Sequence, residues 1–399
     1  MRKWVAGILS VVLMVCAWSL TLGEEEKDAN VLLAQYTQAI EENPDDVEAL
    51  YGRVAALKKV GTAEAAIADL DRIVELTPDD ANAYNERGMA KRSLRLYDEA
   101  IEDFNKAIEI DPNLTDAYNN IGWSLLWSNR IEEALTWFDK AAELSPDHYE
   151  AYQGYGEALH RLGRYEEAIE YYSKALELNG NYAIIYYDRG SALLNLGHYE
   201  EAIENYTKAI ELNENYADAY YERGIALFRM NHYEEAIENY SKVIELNENY
   251  TAAYFERGYI LRNLNRFEEA IEDLTKAIEL NEEDYAYAYN QRGIALQNLG
   301  RYEEAINDYT KFLELEPDNP NIYFNRGYAF SAIGRYEDAI RDLTKSIELE
   351  DNIYAYNQRG LALHALDRFD EAVEDYSKVI AMEPTTANGY LIAVVRCIN

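Results

Sequence analysis

The sequence predicts an all-α solenoid of antiparallel helix pairs, and three observations carry that expectation. Glycines recur at Gly88, Gly122, Gly156, Gly190, Gly224, Gly258, Gly293, Gly327 and Gly360, 34 residues apart except for 35 before Gly293 and 33 before Gly360. Twelve residues after each glycine stands an alanine, from Ala100 to Ala372. Within a period the apolar residues fall on two helical faces: Tyr220, Gly224 and Leu227 share one, and Ile237, Tyr240 and Ile244 share another. That is the spacing of amphipathic helices. One such unit cannot bury its apolar faces alone, so copies must stack. The 399 residues would otherwise suggest two or three domains, at about 150 residues each; a repeat array has no such limit.

Residues 1–23 stand outside the period. Arg2 and Lys3 precede an uncharged run from Trp4 to Leu22, which ends abruptly at Glu24, Glu25 and Glu26. Basic, apolar, then a small-residue exit is the order of a secretory signal, with possible cleavage after Gly23 or Ser19. The run approaches the roughly 20 residues that span a bilayer. An uncleaved N-terminal membrane anchor at residues 4–22 is therefore the rival reading, and the expected membrane contact is confined to it. In both cases the basic end stays in the cytoplasm and the rest lies outside. The expectation is an exported protein, periplasmic or in the cell envelope. Leu13-Met14-Val15-Cys16 resembles a bacterial lipobox, but Val15 is larger than that pattern wants, so a bystander cysteine is preferred. If Cys16 leaves with the signal, Cys397 is the one remaining thiol and no internal disulfide can form.

Residues 24–46 read as a lone capping helix, because Tyr36, Ala39 and Pro44 fall two periods before Phe104, Ala107 and Pro112. Ten units follow, at 47–80, 81–114, 115–148, 149–182, 183–216, 217–250, 251–285, 286–319, 320–352 and 353–386. In the unit around Gly224, Met230-Asn231-His232 makes the turn between helices, and the second helix ends in Glu245-Leu246-Asn247. Asn247 is expected to be a left-handed cap. Glu204 with Lys208, and Glu238 with Lys242, are expected to pair at i, i+4. Proline closes units at Pro78, Pro112, Pro146, Pro317 and Pro384, whereas Gly180, Glu214, Glu248 and Glu282 replace it elsewhere. Softer breaks between helices are expected there. Residues 387–399 read as a lone C-terminal helix. Its run Tyr390–Val395 is too apolar for a solvated solenoid end, which predicts self-association or docking through it.

These residues resemble the tetratricopeptide repeat. That family's pattern runs aromatic, Gly, Ala, aromatic, Ala, Pro, held here by Tyr84, Gly88, Ala100, Phe104, Ala107 and Pro112, and it recurs ten times over residues 47–386. The resemblance implies a right-handed superhelical solenoid of antiparallel helix pairs whose first helices line a concave groove. It also implies a scaffold for protein or peptide ligands. Carried over residue by residue, the groove positions hold Tyr187, Tyr221, Phe255 and Phe324 three residues before the glycine, and Trp123, Ile225, Tyr259 and Tyr328 one residue after it. Phe228, Trp127, Tyr287 and Tyr354 complete the lining. An aromatic lining suits an extended or helical peptide; packing between adjacent units is the competing use of the same rings. Trp123 and Trp127, one turn apart, are the first choice as partner contacts, because Trp is favoured at binding hot spots. Arrays of this family that clamp acidic C-terminal peptides use Lys three residues before the glycine; no Lys stands there in this chain, so that ligand is not expected.

Comparing the copies with one another reveals a second pattern. Arg87, Arg189, Arg223, Arg257, Arg292, Arg326 and Arg359 precede the glycine, and Arg53 holds the same place in the first unit. Sixteen residues later stand Asp103, Asn205, Asn239, Asp273, Asp308, Asp342, Asp375 and Asp69. The two exceptions change together, Ile121 with Trp137 and Tyr155 with Tyr171. These positions are expected to touch inside each hairpin, since a buried Arg without an acceptor costs several kcal/mol. Sequons start at Asn113, Asn205, Asn239 and Asn249. A glycan at Asn205 or Asn239 would split its hairpin, which fits a bacterial envelope better than a eukaryotic secretory path; chance sequons in an Asn- and Tyr-rich chain are the preferred explanation.

Chemistry is mostly missing. No metalloprotease His-Glu pair, Cys-Xaa-Xaa-Cys, phosphate-cradling Gly loop or nucleophile elbow occurs. The five histidines are scattered, and the paired acids on the second helices recur in every unit, which marks a solvated face. No enzyme activity, cofactor or metal is expected. With 37 Lys plus Arg against 74 Asp plus Glu the net charge is −37, which excludes a nucleic-acid partner because phosphate binding needs clustered cations. The 36 tyrosines, against 9 Phe and 5 Trp, are the compositional anomaly. The reading is an exported, non-enzymatic scaffold for protein or peptide partners, with binding of a polysaccharide or cell-wall-linked chain as the alternative.

Overall fold

The computed structural model describes residues 24–281 and 285–382. The expectations for residues 1–23 with Cys16, for Glu282, for Pro384 and for the C-terminal helix at 387–399 with Cys397 fall outside the described residues. Glu24–Glu42 forms the first helix. From Val47 onward helices of 13 and 14 residues alternate, as in Ala81–Ser93 followed by Tyr97–Ile110. No strand occurs among the described residues. The helices gather into two compact units, one up to Leu212 and one from Asn213. In the first, Leu50, Leu70, Phe104, Ile121, Phe138 and Tyr172 fill the interior. In the second, Leu274, Ala288, Tyr309, Phe312 and Leu343 do so.

The period exists because the paired helices touch at a glycine. The Tyr240 ring lies against Gly224 so closely that a Cβ there would stand 2.8 Å from the ring, and Phe104 would meet one on Gly88 at 2.5 Å. Both distances lie far inside van der Waals contact. The alanine column, fully buried at Ala100, Ala134, Ala168 and Ala202, keeps the other side of the contact thin. A ring in a glycine notch is close packing of the interior kind.

The turn within each hairpin has one recipe. A residue with positive φ follows the first helix: Gly61, Gly163, Gly197, Gly300, Gly334, Asn129, Asn231, Asn265 or Asp367. The next N–H then donates five residues back, as from His232 to the Leu227 carbonyl at 2.9 Å. This is the Schellman arrangement, which satisfies carbonyls the helix end leaves open. Left-handed backbone suits Gly and then Asn or Asp. Arg95, at φ 63°, is the exception.

Three expectations are corrected by these details. Asn247 is not left-handed: its φ is −146°, and its side chain accepts the Asn249 N–H at 3.0 Å. The left-handed residue of that unit is Asn231, in the other turn. Among the described residues, the break without proline at Asn213 is built like the proline-closed one at Asp111. Tyr199–Leu212 ends where Tyr97–Ile110 does in its unit, and the turns at Asn213 and Asp111 use the same bond, from Asn215 N to Asn213 Oδ1 and from Asn113 N to Asp111 Oδ1. The side-chain acceptor stops the helix whether or not proline follows it. Lys208 and Lys242 pair forward, with Glu211 at 2.5 Å and Glu245 at 2.7 Å, not back to Glu204 and Glu238.

Candidate functional site

Where an arginine precedes the glycine, it is held by a side chain on the second helix of its own hairpin. Arg257 Nε and Nη2 donate to Asp273 at 2.7 Å each. The same two-pronged bond joins Arg87 to Asp103, Arg292 to Asp308, Arg326 to Asp342 and Arg359 to Asp375. Parallel bonds to one carboxylate are the strongest geometry open to a guanidinium. Where the partner is amide, one bond remains: Arg189 Nε to Asn205 Oδ1 and Arg223 Nε to Asn239 Oδ1, both 2.8 Å. Asn205 and Asn239 are buried. The apolar substitutes meet as well. Tyr155 and Tyr171 stack at 4.1 Å, and Ile121 is buried in the cluster that Trp137 packs against.

A third partner of these arginines went unread in the sequence. Nη1 reaches back to the second helix of the preceding copy: Arg257 to Ser241 Oγ at 2.8 Å, Arg189 to Ser173 and Arg326 to Thr310, both 3.0 Å. These hydroxyls donate their own hydrogen to the carbonyl four residues back, at 2.7 Å. Their oxygen is thereby left to accept from the guanidinium. A fourth contact is aromatic. Each guanidinium lies 5.4–5.9 Å from the ring of the tyrosine three residues earlier, as Arg257 does over Tyr254, within reach of a cation–π attraction.

The aromatic residues assigned to the groove divide into two kinds. Tyr187, Tyr221, Phe255 and Phe324 are half-buried. Tyr187 leans on Tyr206, and Tyr221 on Tyr240 and Tyr250. Phe255 stacks with Tyr259 and meets Tyr285 edge-on, and Phe324 packs into the cluster around Leu343. These rings are largely occupied by the fold. Trp127, Tyr287, Tyr328 and Tyr354 are 54%, 59%, 36% and 70% exposed. Trp123 is half-buried, stacked on Trp127 at 6.5 Å and edge-on to Phe138 at 5.6 Å.

Trp123 and Trp127 form one wall of an open depression of about 520 Å³, whose other walls include Met89, Arg92, Ser93 and Arg95. Arg161 lies over the Trp127 ring at 4.5 Å and is held there by Glu157. Arg92 donates through Nη1 to Asn120 Oδ1 at 3.0 Å, and Asn120 in turn donates to Asn85 Oδ1 at 3.0 Å. Burial pushes the Arg92 guanidinium below its ordinary range. Arg262, at the equivalent position of its own unit, is also pushed down by burial; it lies over Tyr259 at 5.1 Å with its Nε unpartnered. Neither arginine was singled out in the sequence. The readable signal was a cation four residues after the glycine, on the first helix, in a chain of large negative charge.

Among the described residues, no group of three or more His, Cys, Asp or Glu is placed to hold a metal ion, and no helix is long and apolar enough to cross a membrane.

Family models described as tetratricopeptide repeat match residues 33–80, 81–114, 115–148, 137–170, 217–250, 251–284, 320–352 and 353–386. A model described as TPR repeat matches 156–197, 190–231 and 298–334. No curated protein matches the sequence. Among solved structures, the C-terminal part of a TPR repeat-containing protein from Cytophaga hutchinsonii is 22% identical over 59% of this chain and 98% of that one, with a TM-score of 0.52. That likeness is one of fold. YrrB, described as a TPR protein with an unusual peptide-binding site, is 29% identical over 49% of this chain and 97% of its own, with a TM-score of 0.41. MamA from Desulfovibrio magneticus RS-1 is 25% identical over 42% of this chain and 94% of its own, with a TM-score of 0.41.

Proposed function

The chain belongs to the tetratricopeptide repeat family and is a scaffold for protein–protein interaction; on that premise we propose that it binds peptide segments of partner proteins through exposed aromatic residues of its first helices. The observation that carries the reading is the exposure of Trp127, Tyr287 and Tyr354, each more than half open to solvent on a first helix. Large rings left open on a folded surface mark interaction sites more often than single aliphatic residues do. The rings that the fold already occupies, such as Tyr187 and Tyr221, are shape-setting neighbours in this reading and not contacts.

Export to a periplasm or cell envelope is part of the same proposal. The basic start and apolar run of residues 2–22 support it. The burial of the sequon residues Asn205 and Asn239 bears only on which exported compartment it would be, arguing against a glycosylating one. Fractionation of the native cell with mass determination of the mature N-terminus tests it; a soluble cytoplasmic chain that retains Met1 would overturn it.

The binding reading is tested with random peptides displayed on phage and selected against the full chain. Binders are expected, and the Trp123→Ala, Trp127→Ala double variant or Tyr287→Ala is expected to lose them. Peptides that bind all of these variants as well as the parent chain would sink the proposed surface.

A further inference from the structure

The depression beside Trp123 and Trp127 contains a cation with no anion. Arg53, on the preceding first helix, and Arg87, on the same helix as Arg92, each grip a buried aspartate. Lys91 is neutralised by Asp103 and Lys58 by Glu86. Among the described residues, no carboxylate lies within ion-pair distance of Arg92; its one hydrogen bond goes to the neutral Asn120. A guanidinium carries five N–H donors, and only Nη1 is engaged. In a chain of net charge −37, a half-buried arginine without an acid runs against the local supply of carboxylates.

The arrangement around Arg92 is also fixed in advance. Asn85 is tied to Asn120, and Asn120 to Arg92, so the guanidinium is positioned from behind by two buried amides. Arg92 itself lines the open depression, whose wall is the stacked pair Trp123 and Trp127. Arg95 lies on the rim, exposed and without an ion pair among the described residues. A preorganised cation beside a flat apolar wall recognises two things at once: an anion with planar acceptors, and an apolar side chain next to it.

We propose that Arg92 receives the side-chain carboxylate of an Asp or Glu within a peptide segment of the partner protein, while an adjacent apolar or aromatic residue of that segment lies on Trp123 and Trp127. This rests on the reading that the first-helix surface takes peptides, and it names the chemistry that one part of that surface selects. The carboxylate supplies the counter-charge that the fold omits. It does so in a partly desolvated position, where a charge-assisted pair is worth more than at an open surface.

The test uses random peptides displayed on phage and selected on the full chain. A selected peptide is then synthesised with its acid and with the corresponding amide, and titrated by the change in Trp fluorescence. Selected sequences are expected to carry Asp or Glu next to an apolar residue. Replacing the acid by its amide is expected to weaken binding by about tenfold to a hundredfold. Against Arg92→Met the acid and the amide should bind alike, and against Arg92→Glu the preference should turn to peptides with Lys in that place. Arg92→Met keeps the stem packing and removes an uncompensated charge, so its melting temperature should equal or exceed that of the parent. Acid and amide peptides binding the parent chain equally, or Arg92→Met retaining the preference for acid, would overturn the assignment of Arg92 alone. Recovery of no peptide that depends on Trp123 and Trp127 would overturn the peptide-binding reading of this surface, and this inference with it.

Discussion

The rings of Tyr155 and Tyr171 lie 4.1 Å apart and 6° from parallel, at the two positions that in six other hairpins hold an arginine and the aspartate it grips. One contact is thus made with two chemistries in the same chain. Two stacked rings need no counter-charge, whereas arginine and aspartate need each other. Tyr155→Arg alone should destabilise by about 3 kcal/mol or more, because it buries an unpaired charge. Adding Tyr171→Asp should restore most of that loss. A double-mutant cycle by urea denaturation, with a coupling energy near zero, would show that the two positions do not act as a pair.

Removal of a single aspartate should be far more damaging than its conversion to amide. Asp273→Leu leaves Arg257 with a hydroxyl and a tyrosine ring but no anion, and should cost about 3–5 kcal/mol. Asp273→Asn reproduces the Arg223–Asn239 arrangement and should cost markedly less. Equal melting temperatures for the two variants would contradict this account of the pair.

Arg95 occupies a backbone conformation that its own side chain opposes. At φ 63° it stands where five other hairpins of the array place glycine. Arg95→Gly should therefore stabilise the chain by about 1 kcal/mol, the usual penalty for a Cβ in left-handed backbone. A lower melting temperature for this variant would mean that the Arg95 side chain contributes more than its strain removes.

Stability should also fall as pH rises through one window. Asp188 is pushed up to about 7, first by burial and then by the nearby charge of Glu157, while Gln153 donates to it at 3.3 Å. The folded chain then keeps a proton that the unfolded chain releases near the ordinary value of 3.8. Folding therefore binds protons between about pH 4 and pH 7, and stability from this group declines across that interval and levels off above it. Asp188→Asn should flatten the decline and raise the melting temperature at neutral pH. Parent and variant melting curves that differ by the same amount at pH 5 and pH 8 would refute the assignment.

How much of this could be read from the sequence depended on where variation occurs within the chain. Arg257 and Asp273 could be matched because other copies carry Asn239 or the Tyr155–Tyr171 exchange, so that the two positions vary together. The backward bond to Ser241 could not, since Ser and Thr are common on solvated helix faces and nothing marked this hydroxyl as different. The helix end at Asn247 was misread because a side-chain acceptor and a left-handed cap both favour Asn; φ alone separates them. The groove aromatics could not be sorted in the sequence for a similar reason. Tyr221 and Trp127 are both large rings on first helices, but only the second is left more than half exposed. The excess of tyrosine has two structural uses that composition merges: rings in the glycine notches, as at Tyr240, and rings beneath a guanidinium, as at Tyr254.

The bond from Arg257 back to Ser241 has a consequence for how such an array grows. At Arg189, Arg257, Arg292, Arg326 and Arg359 the unit extends an arginine backward to a Ser or Thr hydroxyl of the copy before it, so the joint at these places is the same donor meeting the same kind of acceptor. A duplicated unit brings both halves of the joint with it and fits its neighbours without any matching change. Gain or loss of whole units is then nearly neutral for the fold, and selection on length is left to act on the partner. The stretch around Ile121 and Tyr155, where no arginine reaches back, is the part that cannot be exchanged so freely, and it carries Trp123, Trp127 and the depression they share with Arg92.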